Sequence, residues 1–302
     1  PMKKILIPGA SGLIGTRLTE LLLKKGYDVN VLGRKAPPSD KAGLKTFVWD
    51  VDKGIVDEKA CEGISAIVHL AGANVAEGRW TDARKKEIID SRQKSANLIY
   101  KYLQGHLHRV TTFISSSGID YYGDCGTEVL TEDKPRGSGF LADVTKVWEE
   151  SAMQFTQLGI REVRCRTGVV LARQGGALPE LSKTVPLGVA PYFAKTPLYY
   201  SWVHIDDVCG IMIHAIENET VKGAINTTSP QPIPIKDLMR EIVKAKRSNA
   251  LLVPVPTFAL KIMLGEMSSM LLGSHICSAE KIIATGYRFK YPDIKKALME
   301  IF

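Results

Sequence analysis

The sequence predicts an α/β fold built on a doubly wound parallel sheet, followed by a smaller, irregular C-terminal portion. Three observations carry this reading. Short apolar, β-rich runs alternate with longer helical patterns through the first half of the chain. A glycine-rich turn follows the first of those runs directly. Beyond about residue 166 the alternation gives way to chain rich in Gly and Pro. Of the 302 residues 45% are hydrophobic and 24% charged, which is enough apolar material for a large core.

Residues 3–8 (KKILIP) read as a buried strand. Leu13, Leu18, Leu21 and Leu22 then recur at helical spacing, and the helix stops at Gly26. Further strands are expected over 28–32, 45–49, 66–70 and 111–115, with a long amphipathic helix over 81–104 between the last two. A second long helix is expected over about 140–158 and a strand over 162–166. Residues 175–200 read as loop. A short strand at 201–205 leads into a helix at 206–217, a strand at 224–227 and a helix at 235–246. The Leu- and Met-rich tail begins at 251, with Pro254 and Pro256 marking its entry. The expected organisation is one unit over 1–166, rejoined by segments near 201–230, and a smaller unit over 167–302.

The net charge of +8 does not concentrate anywhere: Lys and Arg are scattered, with short clusters such as Arg84-Lys85-Lys86. They are expected on solvated helix faces, so no nucleic-acid partner is expected. The five cysteines are odd in number, widely spaced and without a CxxC pair. That excludes a disulfide framework and a zinc site and suits a reducing compartment. No apolar run approaches the roughly 20 residues that span a bilayer. The first strand begins at once, leaving no room for a signal peptide. The expectation is a cytoplasmic protein with no membrane partner and no metal.

Gly9-Ala10-Ser11-Gly12-Leu13-Ile14-Gly15 sits directly after the first strand and opens the first helix. In that place each glycine has a task. Gly9 allows the tight turn, Gly12 lets backbone N–H groups approach an anion, and Gly15 lets helix and strand pack closely. The helix N-terminus then faces the anion with unpaired N–H groups and the positive end of its dipole. This is the pattern of a Rossmann sheet that binds a dinucleotide. At the end of the second strand, where NAD sites carry a carboxylate, this chain has Arg34-Lys35. Two cations suit a 2′-phosphate, so NADP(H) is the expected cofactor. Asp50, after the third strand, is expected at the adenine. Leu70, Ala71 and Gly72, after the fourth, are expected along the adenosine and ribose.

The GxxGxxG spacing, HLAGA at 69–73 and ISSSG at 114–118 resemble the extended short-chain dehydrogenase/reductases of the sugar-nucleotide epimerase type. That resemblance implies a Ser or Thr after the fifth strand and a YxxxK pair on the next helix, with Tyr as acid/base and Lys at the nicotinamide ribose. Lys146 fits the Lys. Four residues earlier stands Ala142, and no Tyr lies between Tyr122 and Lys146. Further segments narrow the match: Arg79-Trp80-Thr81 with Ser91-Arg92, Phe140-Leu141-Ala142-Asp143 leading to Trp148-Glu149, Arg166-Thr167-Gly168, Trp202-Val203-His204-Ile205-Asp206-Asp207 and Thr285-Gly286-Tyr287. Together they resemble the "epimerase family protein" subgroup, atypical extended reductases. The resemblance implies NADP(H) and loss of the usual Tyr, and names no substrate.

Ser117 is then the candidate to hydrogen-bond a substrate oxygen. Tyr122 stands as either a replacement acid or a packing residue. Lys146 stands as a ribose ligand or a solvated cation, and Arg92 as a cofactor contact or a surface arginine. His204 precedes a helix cap at Asp206 or Asp207 and reads as architecture, and His69 as a core histidine. Two functions follow. One is an NADP(H)-dependent oxidoreductase, or an epimerase-like enzyme, on a small-molecule substrate. The other is a non-catalytic NADP(H)-binding sensor or interaction protein. The resemblance also implies a homodimer, its two long helices forming the four-helix interface common in the wider family.

Overall fold

In the computed structural model, which describes residues 3–35 and 39–302, Ile5, Leu6 and Ile7 are all fully buried. They belong to β1 (Lys4–Pro8), which lies inside a sheet covered on both faces. Such a strand needs apolar residues without alternation, because both of its sides meet helices. The other strands are β2 (Asp28–Gly33), β3 (Leu44–Asp50), β4 (Ile55–Val56), β5 (Ile64–His69), β6 (Thr112–Gly118), β7 (Arg161–Thr167) and β8 (Gly223–Thr227). The eight-stranded order is β8-β7-β6-β5-β1-β2-β3-β4, parallel throughout except for β4 against β3. The order reverses between β1 and β5, where open α/β sheets leave a crevice at the carboxyl ends of the strands.

The helices divide by face. Leu18 and Leu22 of α1 (Leu13–Lys24) and Val208, Ile211 and Met212 of α4 (Ile205–Glu217) pack with Ile5, Ile7, Val29 and Val163. Ala96, Ile99 and Leu103 of α2 (Asp82–Gly105) and Ala152 of α3 (Phe140–Met153) cover Leu6, Leu32, Ile67 and Phe113 on the other side. The period of 2 along β1 thus feeds two cores. A third core gathers residues from Leu171 to Ile301, among them Trp202, then Leu238 and Met239 of α5 (Ile235–Ala245), and Leu298 of α6 (Ile294–Ile301).

Several expectations need correcting. The stretch 175–200 is not plain loop. It holds a short helix at Leu178–Ser182 and a strand at Val189–Phe193, which pairs in parallel with Leu251–Val255. Its partner lies about sixty residues away, and Pro191 and Pro254 are tolerated because the ribbon has only two strands, both edges. Thr81 is the cap of α2 rather than its first turn, accepting from the Arg84 N–H at 3.2 Å. The helix from Phe140 tightens to a 3₁₀ turn at Gln154–Leu158.

The cap of α4 is His204, not Asp206 or Asp207. Its Nδ1 accepts from the Asp206 N–H at 3.1 Å, so Nε2 carries the proton it shares with Glu300 at 3.0 Å. That frees both aspartates for other work. Asp207, fully buried, accepts from the Tyr287 hydroxyl (2.8 Å) and from the Lys290 and Tyr291 N–H groups (2.7 and 2.9 Å). Asp206 takes a two-pronged bond from Arg17 of α1 (2.7 and 3.1 Å) and one from Lys290 (3.0 Å). Burial works against its charge, but Arg17 and Lys290 hold its carboxyl down to about 2.

A carboxyl held below its unfolded value of about 3.9 stabilises the fold fully above that pH and loses its effect as the pH falls through about 2. Asp206→Asn is therefore expected to lower Tm at pH 7. Thermal melts should show the gap to wild type closing between about pH 4 and pH 2.

Candidate functional site

The glycine turn crosses the β1/β5 switch point. Gly9 has φ +84°, and a Cβ there would lie 2.4 Å from the Ala71 nitrogen. A Cβ on Gly15 would meet Ala10 Cα at 2.6 Å. Both positions are closed to larger residues by backbone, which cannot yield cheaply. Gly12 differs: a Cβ would find only the Gly9 carbonyl, at 3.6 Å, so the space before it is free for a ligand. Gly12 caps α1 without a side-chain bond, and the first turn carries no acid. The N–H groups of Leu13 and Ile14 face outward with the helix dipole, the condition for holding an anion. Ser11, Gly12 and Leu13 line a cleft of about 570 Å³.

Around the turn the other expected cofactor residues fall as follows. Arg34 and Lys35 stand exposed just past β2 and form no ion pair among the described residues. Leu70 prolongs β5, its N–H donating to the Pro8 carbonyl at 2.9 Å, so that Ala71 runs beside Gly9. Asp50 ends β3 and accepts from the Lys53 N–H at 3.0 Å, closing the turn that follows. Arg92 is no surface arginine. Its guanidinium lies 3.8 Å from the Trp148 ring and donates to the Ala73 carbonyl at 3.1 Å, and burial pushes it down to about 10. Its Nε has no partner among the described residues. A Cβ on Gly72 would come within 2.5 Å of it, so that glycine makes room for the arginine. Ser91 accepts from the Ala73 N–H (2.9 Å), and Ser95 lies 2.8 Å from His69 Nε2. His69 is a core histidine, pushed down to about 3 by burial and by Arg92.

Of the three catalytic expectations, Ser117 and Tyr122 meet at one buried network and Lys146 stands apart from it. Lys146 is half exposed and pairs with Glu150 at 3.6 Å. One residue is about 100° of helix rotation, and it is Thr145 that turns toward the end of β6, its methyl 3.8 Å from where a Gly118 Cβ would lie. Tyr122 is 2% exposed. Its hydroxyl donates to Asn226 at 2.7 Å and accepts from Arg166 at 3.0 Å, and burial pushes the phenol pKa up. Ser117 donates to Glu149 at 2.9 Å, beneath the sheet end rather than into a cleft.

What gathers the two hydroxyls is a buried ion pair between two residues that entered the sequence reading only as parts of segments matching the subgroup. Arg166 reaches Glu149 through two bonds of 2.8 and 2.9 Å, and each side chain is 3% exposed. Arg164 adds a bond of 3.1 Å to the same carboxylate, and the Tyr121 ring lies 3.6 Å from the Arg166 guanidinium. The available signal was a charged residue on β7 in register with the serines of β6: Ser117 pairs with Arg166.

A second cleft, of about 720 Å³, opens between the start of α3 and the segment 257–275. Leu141 and Ala142 line one side, so the cleft reaches the place where the resemblance expects the acid/base. Asp120, Asp124, Lys195 and His275 are among its polar walls. None of these was singled out, since they lie in three separate stretches of chain, at 120–124, 195 and 275. Among the described residues, no helix is long and apolar enough to cross a membrane.

The switch-point turn and this sheet order define a Rossmann-type dinucleotide-binding protein. The profile of the NAD-dependent epimerase/dehydratase family matches residues 5–141, and that of a domain of unknown function (DUF1731) matches residues 255–301. The chain is 30% identical to human epimerase family protein SDR39U1 over 305 residues, covering 99% of each. It is 29% identical to epimerase family protein YfhF of Bacillus subtilis, covering 98% of this chain and 97% of the relative. A crystal structure of human SDR39U1 with NADPH superposes with a TM-score of 0.85 at 28% identity, covering 99% of this chain and 98% of that one. The chain belongs to the NAD-dependent epimerase/dehydratase family, among the epimerase family proteins.

Removing one partner of a buried pair strands the other charge. Glu149→Ala is expected to cost about 3–5 kcal/mol in urea unfolding, while Lys146→Ala shifts stability by less than about 0.5 kcal/mol.

Proposed function

We propose that this protein binds NADP(H) and acts as an oxidoreductase on a small polar molecule carrying a carbonyl or hydroxyl group. The observation that carries the reading is the pairing of an anion-ready glycine turn with a separate polar cleft that reaches Ala142. The human relative crystallised with NADPH supports the cofactor. Gly9 and Gly15 shape the turn, Gly12 closes it with its N–H on the Gly9 carbonyl, and Ser11, Leu13 and Ile14 offer N–H groups to the pyrophosphate. Arg34 and Lys35, uncommitted and at the end of β2, suit a 2′-phosphate. Leu70, Ala71 and Gly72 flank the ribose, and Arg92 supplies a desolvated cation behind them. Bound NADPH supplies a hydride; the protein's task is to orient the substrate and move a proton. Ala142 carries no proton and Lys146 stands apart from the buried hydroxyls of Ser117 and Tyr122, so the proton moves by another route than YxxxK.

That same dispersal favours a second reading, a non-catalytic NADP(H)-binding protein. Fluorescence titration with NADPH and NADH, followed by turnover on quinones, aldehydes, ketones and sugar nucleotides, separates the two. The expected result is a preference for NADPH that Arg34→Ala/Lys35→Ala reduces by about tenfold or more, with NADH binding unchanged, and substrate-dependent oxidation. Tight binding without turnover on any class selects the second reading. Failure to bind NADPH removes both.

A further inference from the structure

Deepening the oxidoreductase reading, on which it rests, we infer that His275 is the proton donor and acceptor of the 720 Å³ cleft, with Asp120 as the carboxylate that sets its charge. A carbonyl that receives hydride must also receive a proton. Ala142 carries none, the Tyr122 hydroxyl is sealed against Asn226 and Arg166, and Ser117 is committed to Glu149. Of the ionisable groups on the cleft wall, Asp124 and Lys195 pair with each other, and Glu266 pairs with Lys85 of α2. Lys261 lies exposed on the helix Thr257–Leu264, and a lysine holds its proton too tightly to serve near neutral pH.

His275 is different. It is 6% exposed, it lines the cleft, and its Nε2 has no hydrogen-bond partner among the described residues. A buried ring nitrogen left unpaired is costly, and in a native cleft it calls for a ligand. The backbone fixes the ring in place: the His275 N–H donates to the Tyr199 carbonyl at 2.9 Å, and its carbonyl accepts from the Ser201 hydroxyl at 2.9 Å. A Cβ on Gly273 would press the ring at 2.8 Å, so the preceding chain leaves just the space it needs.

Asp120 follows β6 directly and stands on the same cleft wall. Burial lowers the imidazole pKa, and the charges of Asp120, then Asp124, and the Gly123 carbonyl raise it, while Lys195 lowers it. Burial raises the Asp120 carboxyl, and His275 lowers it. Tyr200, whose phenol feels Asp120, donates to the Leu271 carbonyl at 2.8 Å and is spoken for. Burial outweighs these charges, leaving the imidazole below its usual range and the carboxyl above its own, so the imidazole proton is one that is exchanged rather than held. In reduction the carbonyl carbon gains the hydride and its oxygen takes the proton of Nε2–H from the imidazolium, leaving alcohol, NADP⁺ and neutral imidazole. In oxidation the neutral Nε2 takes the hydroxyl proton, and water restores the starting charge in either direction.

The test uses the full chain with and without NADPH. NMR titration of the histidine Cε1–H signals should give His275 a midpoint that moves down in Asp120→Asn, because the foremost charge raising it is gone. A midpoint indifferent to Asp120 overturns the pairing. On the carbonyl panel, His275→Gln should lose about 100-fold in turnover, with its pH dependence flattened and NADPH affinity unchanged. His275→Asn serves as a second variant should the first melt at a lower temperature. Undiminished turnover in the variants overturns the inference and leaves the oxidoreductase reading standing. Wild-type protein inert on every carbonyl overturns that reading, and the donor role with it.

Discussion

The ion pair between Glu149 and Arg166 is the interaction around which the site is arranged. Two charges, each 3% exposed, stand beneath the carboxyl end of the sheet. Such a pair repays its desolvation only when geometry is good and every remaining lone pair and N–H has a partner. Here the partners are the Ser117 hydroxyl, Arg164, the Tyr122 hydroxyl and the Glu132 carbonyl. Satisfying the pair therefore joins α3 to β7 and to the end of β6. It also consumes two hydroxyls that a reading by motif assigns to chemistry. A group that completes a buried network is held where the network needs it.

With those hydroxyls committed, the polar groups left open are those of the cleft against α3, and that cleft depends on how the late segments of the chain are anchored. Asp206 and Asp207 do this at the start of α4. One grips Arg17 of the first helix; the other gathers a hydroxyl and two backbone N–H groups from residues 287–291. Ser201 and Tyr199 extend the anchoring to His275. The wall that faces Ala142 is thus tied back, through backbone bonds, to the sheet that carries the glycine turn. A polar cleft bounded by one rigid layer and one tethered one gives a small molecule a defined orientation.

The strands, the long helices and the glycine turn were legible because each rests on local pattern. Continuous apolar runs mark buried parallel strands, a 3.6-residue recurrence marks α1, and three glycines mark a turn that backbone geometry demands. The place of Arg34 and Lys35 after β2 was equally plain. The strand at Val189–Phe193 was not, since its partner lies at Leu251–Val255 and both carry proline. Nor was the cap of α4, because a histidine ring nitrogen there does what an aspartate usually does.

By itself, then, the sequence determined the doubly wound sheet, the dinucleotide turn, the two cations that follow β2, and the absence of a Tyr four residues before Lys146. These follow from short-range sterics and periodicity, which a chain expresses without reference to distant partners. The tertiary structure alone decided which side chains are free to act. Whether Ser117 faces a ligand or a carboxylate depends on Glu149 and Arg166, 32 residues from Ser117 and 17 from each other respectively. Whether Lys146 or Thr145 faces the sheet depends on a helix rotation of about 100°, set by the packing of Val144 and Trp148 against Ile88. Burial and charge at a site are sums over neighbours in space, and no local pattern contains those terms.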